Sequence, residues 1–458
     1  MNKKEKQIYS NFKAFTEEAV IFFGIFRWIL LSILIGVIVG TSTSLFLKAL
    51  SSSTNLITTI PFYFLFLPLI FFINIIITTY ISPDSKGHGT EKVIKAVHKM
   101  NGKIRFRVVP IKTITTIATL AFGGSVGKEG PSAQIGAALA STFSDFFKLS
   151  KEDREKLVIC GISAGFASVF GTPIAGAIFG VEVLFMGNLL YSVLLPSFIS
   201  GMIGYQISSL MGIEYHYFFM QFDQVFDPVF FLIVILAGLF FGLTSVIFIE
   251  TLKHTEKFAN KLKIWAPYKG LIGGALLIII TLLFSKDFLG LGLHIIDISL
   301  TTGDVIWYAF FIKIIATAIT LAFGGSGGVI TPIFFIGSTA GIAFANVFGL
   351  NSTIFAGFGL VSVLAGAANT PLAACILAVE LFGPQVAPYA TIACILSFLM
   401  TGYRSVFPSQ ILSFSKSPSI VAKKGEELED IKISYKYRTK KIIVSGRNYA
   451  KKVLNVKK

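Results

Sequence analysis

Leu120-Ala-Phe-Gly-Gly-Ser-Val-Gly-Lys-Glu-Gly-Pro131 returns later in the chain as Leu321-Ala-Phe-Gly-Gly-Ser-Gly-Gly-Val-Ile-Thr-Pro332, with constant spacing and most positions identical. A second pair follows in the same order. Gly171-Thr-Pro-Ile-Ala-Gly-Ala-Ile-Phe-Gly-Val-Glu182 matches Asn369-Thr-Pro-Leu-Ala-Ala-Cys-Ile-Leu-Ala-Val-Glu380. Two ordered blocks about 200 residues apart mark an internal duplication. That period is too long for a solenoid and fits the two-fold architecture of membrane transporters. The halves run over about residues 30–208 and 227–413. Sequence alone does not decide between parallel and inverted halves, and the inverted arrangement is the expectation.

Composition places both halves in a bilayer. Of 458 residues, 54% are hydrophobic and 14% charged, with a mean hydropathy of +0.76. A soluble domain of this length would carry far more charge. Apolar runs at 28–50 and 61–82 reach the roughly 20 residues a helix needs to cross. Runs at 229–249, 271–284, 307–323 and 386–400 continue the pattern. The first is too long for a cleaved signal and lacks a small-residue cleavage site.

The net charge of +16 is concentrated at the ends and in a few short loops. Residues 404–458 hold fourteen Lys and Arg against four acids. Lys3, Lys4, Lys6, Lys13 and Arg27 crowd the other end. This pattern argues against nucleic-acid binding. By the positive-inside rule it puts both termini in the cytoplasm, with part of the tail near anionic headgroups. Residues 1–27 then form a cytoplasmic N-terminus, 28–413 the membrane domain, and 414–458 a basic tail. The tail has strand-like stretches at 431–437 and 441–445 and is too short for a sizeable regulatory domain. Cys160, Cys375 and Cys394 lie in apolar segments, and no His pair has metal-ligand spacing on a helix. No disulfide, metal or other cofactor is implied.

Several apolar segments are too short to span. Residues 133–147, 172–186 and 370–383 begin beside Pro, Gly or a Thr-Pro pair. They predict broken helices that start inside the membrane, where irregular backbone survives only buried in protein or lining a wet cavity. The expected fold is therefore an all-α polytopic membrane protein whose repeated halves bring half-spanning helices together at the midplane.

Gly127-Lys128-Glu129-Gly130-Pro131 opens one such helix, with Pro as a helix-start signal. A helix N-terminus presents free amides and positive potential to an anion. Glu129 puts a carboxylate in that same place. It could occupy the anion's site until an anion displaces it or a proton neutralises it. The bland alternative is a Glu that only stabilises the helix end. The second copy keeps Gly328 and Pro332 but has Ile330 in place of Glu129. Two helix N-termini facing one site, one of them bearing a carboxylate, suit a single anion path with one gate.

These motifs resemble the CLC family of chloride channels and chloride–proton exchangers, prokaryotic type without CBS domains, over about residues 28–413. The family shows Gly-(Lys/Arg)-Glu-Gly-Pro in its first half and Gly-X-Phe-X-Pro in its second, where this chain has Ile330 for Phe. The resemblance implies a homodimer with one pore per subunit. It implies gating by Glu129 and anion binding by Gly127, Lys128 and Gly130 and by the backbone of Val329, Ile330 and Thr331. A third family motif, Gly-Ser-Gly-Ile-Pro, matches Gly87-His88-Gly89-Thr90-Glu91. His88 and Gly89 then fall at the central anion, where His88 replaces a Ser and either donates a hydrogen bond itself or points aside and leaves the backbone N–H groups to act. The family's anion-touching Tyr matches Phe407, which has no hydroxyl. The inner proton-relay Glu of family exchangers matches Val183, beside Glu182. Glu182 could serve as relay instead. Its repeat partner Glu380 points to a structural role for both.

Two other motifs carry less. Gly124 to Lys128 is similar to a phosphate-binding loop, but Glu129 stands where that loop needs Ser or Thr. Gly161-Ile-Ser163-Ala-Gly165 fits a short serine-hydrolase pattern with no His motif nearby, and Val361 faces Ser163 in the repeat. The sequence reading is thus a non-enzyme that moves chloride or a similar anion across a prokaryotic plasma membrane. A passive channel is preferred because Val183 carries no proton. A chloride–proton exchanger is the alternative, and an intramembrane hydrolase using Ser163 is the distant third. Fluoride-exporting relatives are set lower, because their motifs depart from Gly-Lys-Glu-Gly-Pro.

Overall fold

A computed structural model describes residues 3–220, 227–432 and 434–435, with side chains from Thr16 onward and without that of Tyr435. The expected strand at 441–445 and part of that at 431–437 lie outside the described residues, as do the side chains of Lys3, Lys4, Lys6 and Lys13.

Among the described residues the chain forms sixteen α-helices, eight in each half and in matching order. The first half contains α1 (Lys3–Thr58), α2 (Leu67–Tyr80), α3 (Gly89–Met100), α4 (Val108–Ala121), α5 (Glu129–Phe146), α6 (Lys151–Phe170), α7 (Pro173–Glu182) and α8 (Tyr191–Leu210). The second contains α9 (Pro228–Lys261), α10 (Ala266–Leu283), α11 (Leu293–Thr301), α12 (Ala309–Ala322), α13 (Ile330–Phe348), α14 (Ser352–Ala368), α15 (Pro371–Phe382) and α16 (Ala387–Thr401). The only strands among the described residues are two two-residue pairs, Phe185–Met186 with Ile411–Leu412 and Ile420–Val421 with Ser434–Tyr435.

The halves repeat their packing as well as their order. α5 lies on α6 and α1 on α8, just as α13 lies on α14 and α9 on α16. Small residues make the first of these contacts possible. A Cβ added at Gly136 would stand 2.5 Å from the Gly161 carbonyl, and one at Gly161 would stand 2.6 Å from the Gly136 carbonyl. Gly337 and Gly359 repeat the same back-to-back contact between α13 and α14. Membrane helices gain little from hydrophobic association, so close backbone approach at small residues holds them together.

The halves are inverted. α6 starts at the face where Arg27 pairs with Asp153 at 2.6 Å and ends at Gly171 on the opposite face. Its counterpart α14 ends at Asn369, whose side chain bonds the Arg404 carbonyl at 3.0 Å on the Arg27 face. Gly171 (φ 71) and Asn369 (φ 56) are both left-handed caps that stop a helix and turn the chain into a Thr-Pro start. α7 and α15 follow, 10 and 12 residues long, each with Pro in its first turn. These are the half-spanning helices expected at 172–186 and 370–383.

Three expected bounds shift. The run at 61–82 is a 3₁₀ turn (Tyr63–Phe66) followed by α2, not one helix. The run at 307–323 gives a helix of only 14 residues, α12. The segment expected at 133–147 begins earlier, at Glu129, because Pro131 fits inside the first turn.

Candidate functional site

The two copies of Leu-Ala-Phe-Gly-Gly-Ser meet at the pseudo-two-fold axis. Gly127 N–H donates to the Gly328 carbonyl at 2.7 Å, and Gly328 N–H donates to the Gly127 carbonyl at 2.6 Å. Each loop also reaches into the other half. Ser125 N–H donates to Thr320 Oγ1 on α12 at 3.1 Å, and Ser326 N–H donates to Thr119 Oγ1 on α4 at 3.0 Å. Gly123 (φ 99) and Gly324 (φ 106) make the sharp turn that frees these amides, a conformation a side chain would strain. The result is a rigid polar clasp that points the N-termini of α5 and α13 at one another.

Glu129 fills the space between them and is 1% exposed. Its Oε1 accepts from Ile330 N–H at 2.6 Å and Thr331 N–H at 3.1 Å. Its Oε2 accepts from Thr331 Oγ1 at 2.6 Å. A carboxylate from the first half thus sits on the helix N-terminus of the second, where free amides and the helix dipole favour negative charge. Gly130 and Gly328 let the backbones close, since a Cβ at Gly130 would lie 2.9 Å from Gly328 Cα. Lys128 caps α5 and is partly exposed beside the carboxylate's helix. Val329 caps α13 and is buried, as is the Ile330 side chain.

A third N-terminus joins these two. His88 caps α3 and bridges Gly327 as a short parallel pair. Gly89 packs on the Gly130 carbonyl so closely that a Cβ there would collide with it. The His88 ring lies 5.8 Å from the ring of Phe407, which is fully buried. His88 Nδ1 is buried and has no hydrogen-bond partner. The structure therefore brings together His88, Gly89, Gly127, Glu129, Gly130, Val329, Ile330, Thr331 and Phe407, while the Lys128 side chain makes no hydrogen bond to Glu129.

Glu182 lies apart from this cluster. Its carboxylate accepts from the N–H groups of Leu372 at 3.1 Å and Ala373 at 2.8 Å, at the start of α15. Glu380 does the same for α7, accepting from Ile174 at 3.0 Å and Ala175 at 2.8 Å. Each half thus closes the other half's broken helix. Val183 is fully buried, and its carbonyl accepts from Gln410 Nε2 at 2.8 Å. Ser163 is fully buried, and its hydroxyl donates to the Ile159 carbonyl at 3.1 Å inside α6.

Two buried lysines escaped the sequence reading. Lys112 on α4 donates to the carbonyls of Ser85 (3.2 Å) and Gly87. Lys313 on α12 donates to those of Phe288 (3.2 Å) and Gly290 (2.9 Å). Both are fully buried, and each braces the loop that leads into a helix N-terminus, α3 or α11. The signal was available: Ile111-Lys112 and Ile312-Lys313 extend the repeat upstream of Leu120 and Leu321. Among the described residues no three His, Cys, Asp or Glu converge as a metal site would require.

Comparison with known proteins agrees with this geometry. The chain is 34% identical over 397 residues to the "chloride/fluoride channel protein" of Pseudomonas syringae pv. tomato, covering 85% of this chain and 87% of that one. Its fold superposes on a crystal structure of a CLC-type fluoride/proton antiporter with a TM-score of 0.81 at 29% identity, covering 85% of this chain and 99% of that one. A slow cyanobacterial Cl⁻/H⁺ antiporter shares the fold, with a TM-score of 0.72 at 19% identity, covering 82% of this chain and 94% of that one. Residues 69–402 match the family described as voltage gated chloride channel, and the chain belongs to that CLC family of anion transporters.

Proposed function

We propose that this chain exchanges a small halide for protons across the membrane, with Glu129 as the gate. The observation that carries this reading is the Glu129 carboxylate, held by two amides and a hydroxyl on the N-terminus of α13. Those donors suit a halide as well as they suit a carboxylate, and the two negative groups exclude each other. A proton on Glu129 removes its charge and frees the donors for the anion. Anion binding and protonation are therefore linked at one place, which is the thermodynamic requirement for coupled exchange. The 29% identity to a fluoride/proton antiporter along nearly all of that protein supports the same reading.

Fluoride belongs among the halides. The sequence reading ranked fluoride exporters lower on their motifs, and the likeness to a chloride/fluoride channel protein and to a fluoride/proton antiporter supports including fluoride among the anions proposed. The unit of function in this proposal is a homodimer with one path per subunit, in the plasma membrane.

A second reading, the passive channel, is favoured by buried Val183 and by the commitment of Glu182 to α15. Purified protein in liposomes separates the two. Under opposed halide and pH gradients, an exchanger drives protons uphill in fixed proportion to fluoride or chloride. Halide flux that follows its own gradient with no proton movement would leave the channel standing and the exchanger refuted.

A further inference from the structure

Exchange needs a way for protons to reach Glu129 from the side of the Arg27 face, through a region where a bare charge is costly. Val183 has no protonatable side chain, and both Glu182 oxygens are bound by amides. Three other ionisable side chains stand in succession along α3 and the segment packed on it.

Glu427, in the segment after α16, holds Lys99 through Oε2 at 2.8 Å, while its Oε1 is buried without a hydrogen-bond partner. Glu91, in the first turn of α3, holds Ser409, and the residues after Glu427 pair with the chain on either side of Ser409: Leu428 N–H donates to the Gln410 carbonyl at 2.9 Å and Glu429 N–H to the Pro408 carbonyl at 3.1 Å. Ser409 N–H donates to Glu91 Oε1 at 3.1 Å, and the Ser409 hydroxyl donates to the same oxygen. His88, three residues before Glu91, lays its ring on Phe407, two residues before Ser409. Glu91 and His88 therefore meet one three-residue stretch of chain, Phe407 to Ser409. Buried polar atoms are almost always hydrogen-bonded, to protein or to ordered water. Glu427 Oε1 and His88 Nδ1 break that rule on either side of Glu91. Both are places where a water would complete the bonding.

The run is one-sided. The second half's counterpart of Gly87-His88-Gly89 is Gly290-Leu291-Gly292, placed by the matching lysines Lys112 and Lys313, and Leu291 carries no proton. We propose that Glu427, Glu91 and His88 form, in that order, the inner limb of a proton route that ends on Glu129. This inference rests on the exchanger reading above. A proton from the inner solution joins Glu427 and then the Glu91 carboxylate. It passes to His88 Nδ1, and the imidazole gives up a proton through water to Glu129. Each relay group returns to its starting charge, and no bond other than those to the proton changes. The charged groups facing the run are Lys92 beside Glu91 and His88, Lys112 beside His88, and Lys99 on Glu427, with Glu429 and Asp430 near Lys99.

Glu91→Gln tests the route, because the amide keeps an acceptor and a donor for Ser409 while losing the proton site. Halide flux and proton uptake are measured together in liposomes. We expect halide flux within about twofold of wild type and protons carried per halide reduced at least about tenfold, since relayed proton transfer contributes on the order of a hundredfold or more. Glu427→Gln should lower the ratio in the same direction, and it is read alone if Glu91→Gln fails to fold. A wild-type ratio in these variants overturns the route while leaving the exchanger intact. A wild-type protein that moves no protons overturns both.

Discussion

At the scale of single residues, the site turns on one carboxylate and the groups that hold it. Glu129 was legible because the repeat replaces it with Ile330, and an asymmetric change within a duplicated motif is informative. Glu129→Gln keeps the shape of the side chain and cannot change charge. Halide flux through it should lose its dependence on pH, and a retained wild-type pH response would remove Glu129 from the gating role. Thr331 was legible as a backbone donor, but its side chain was not: only the fold shows Thr331 Oγ1 2.6 Å from Glu129 Oε2. Thr331→Val preserves volume and both amides while removing that hydroxyl. A hydrogen bond to a charged group contributes about 1.5–3 kcal/mol, and about 1.4 kcal/mol corresponds to one pH unit. The bond favours the charged, closed form of Glu129, so its loss lets a proton open the gate at higher pH. The midpoint of the flux–pH curve should therefore move upward by about one unit or more. An unchanged or lowered midpoint would mean that the hydroxyl does not hold the gate shut. Thr331→Ser should restore the wild-type curve.

At the scale of elements, the Thr-Pro pairs announced α7 and α15 because Pro cannot extend the preceding helix and fits the first turn of the next. What the sequence could not announce is which group satisfies the free amides of a helix that starts inside a membrane. Those amides have no water to turn to. The fold answers with Glu182 on α15 and Glu380 on α7, an exchange across the two halves that no local pattern encodes. This arrangement separates a cap from a proton relay. Glu182→Gln keeps one acceptor and should leave the proton-to-halide ratio unchanged. Glu182→Ala strands two amides and should destabilise the protein by about 1–3 kcal/mol per lost partner. The checks are thermal unfolding in detergent and the coupling ratio in liposomes. Loss of proton movement in Glu182→Gln, with unfolding unchanged, would make Glu182 a relay after all.

At the scale of the whole molecule, duplication was plain from the sequence but inversion was not. Inversion depends on how many times the chain crosses between the copies, and short helices such as α3 and α11 turn back without crossing. Tracing the helices sorts the loops by face. The Arg27 face carries the loops with Lys103, Arg105 and Arg107, with Lys148 and Lys151, with Lys261 and Lys263, and the segment with Arg404, Lys416, Lys423 and Lys424. On the opposite face, the loop between α1 and α2 has no charge, residues 211–220 carry Glu214, residues 284–292 carry Lys286 and Asp287, and residues 302–308 carry Asp304. Short loops rich in Lys and Arg stay on the cytoplasmic side during insertion, and acids count for little. This asymmetry predicts that the Arg27 face is cytoplasmic, which puts the Glu427–Glu91–His88 run inside the cell. Single cysteines at Lys423 and Phe219, both largely exposed and on opposite faces, make the check direct. Cys160 and Cys394 are buried, and Cys375→Ser removes the remaining background. A membrane-impermeant maleimide added to intact cells should label Phe219→Cys at once and Lys423→Cys only after the membrane is opened. The reverse pattern would turn the protein over and make the proposed proton limb an outer one.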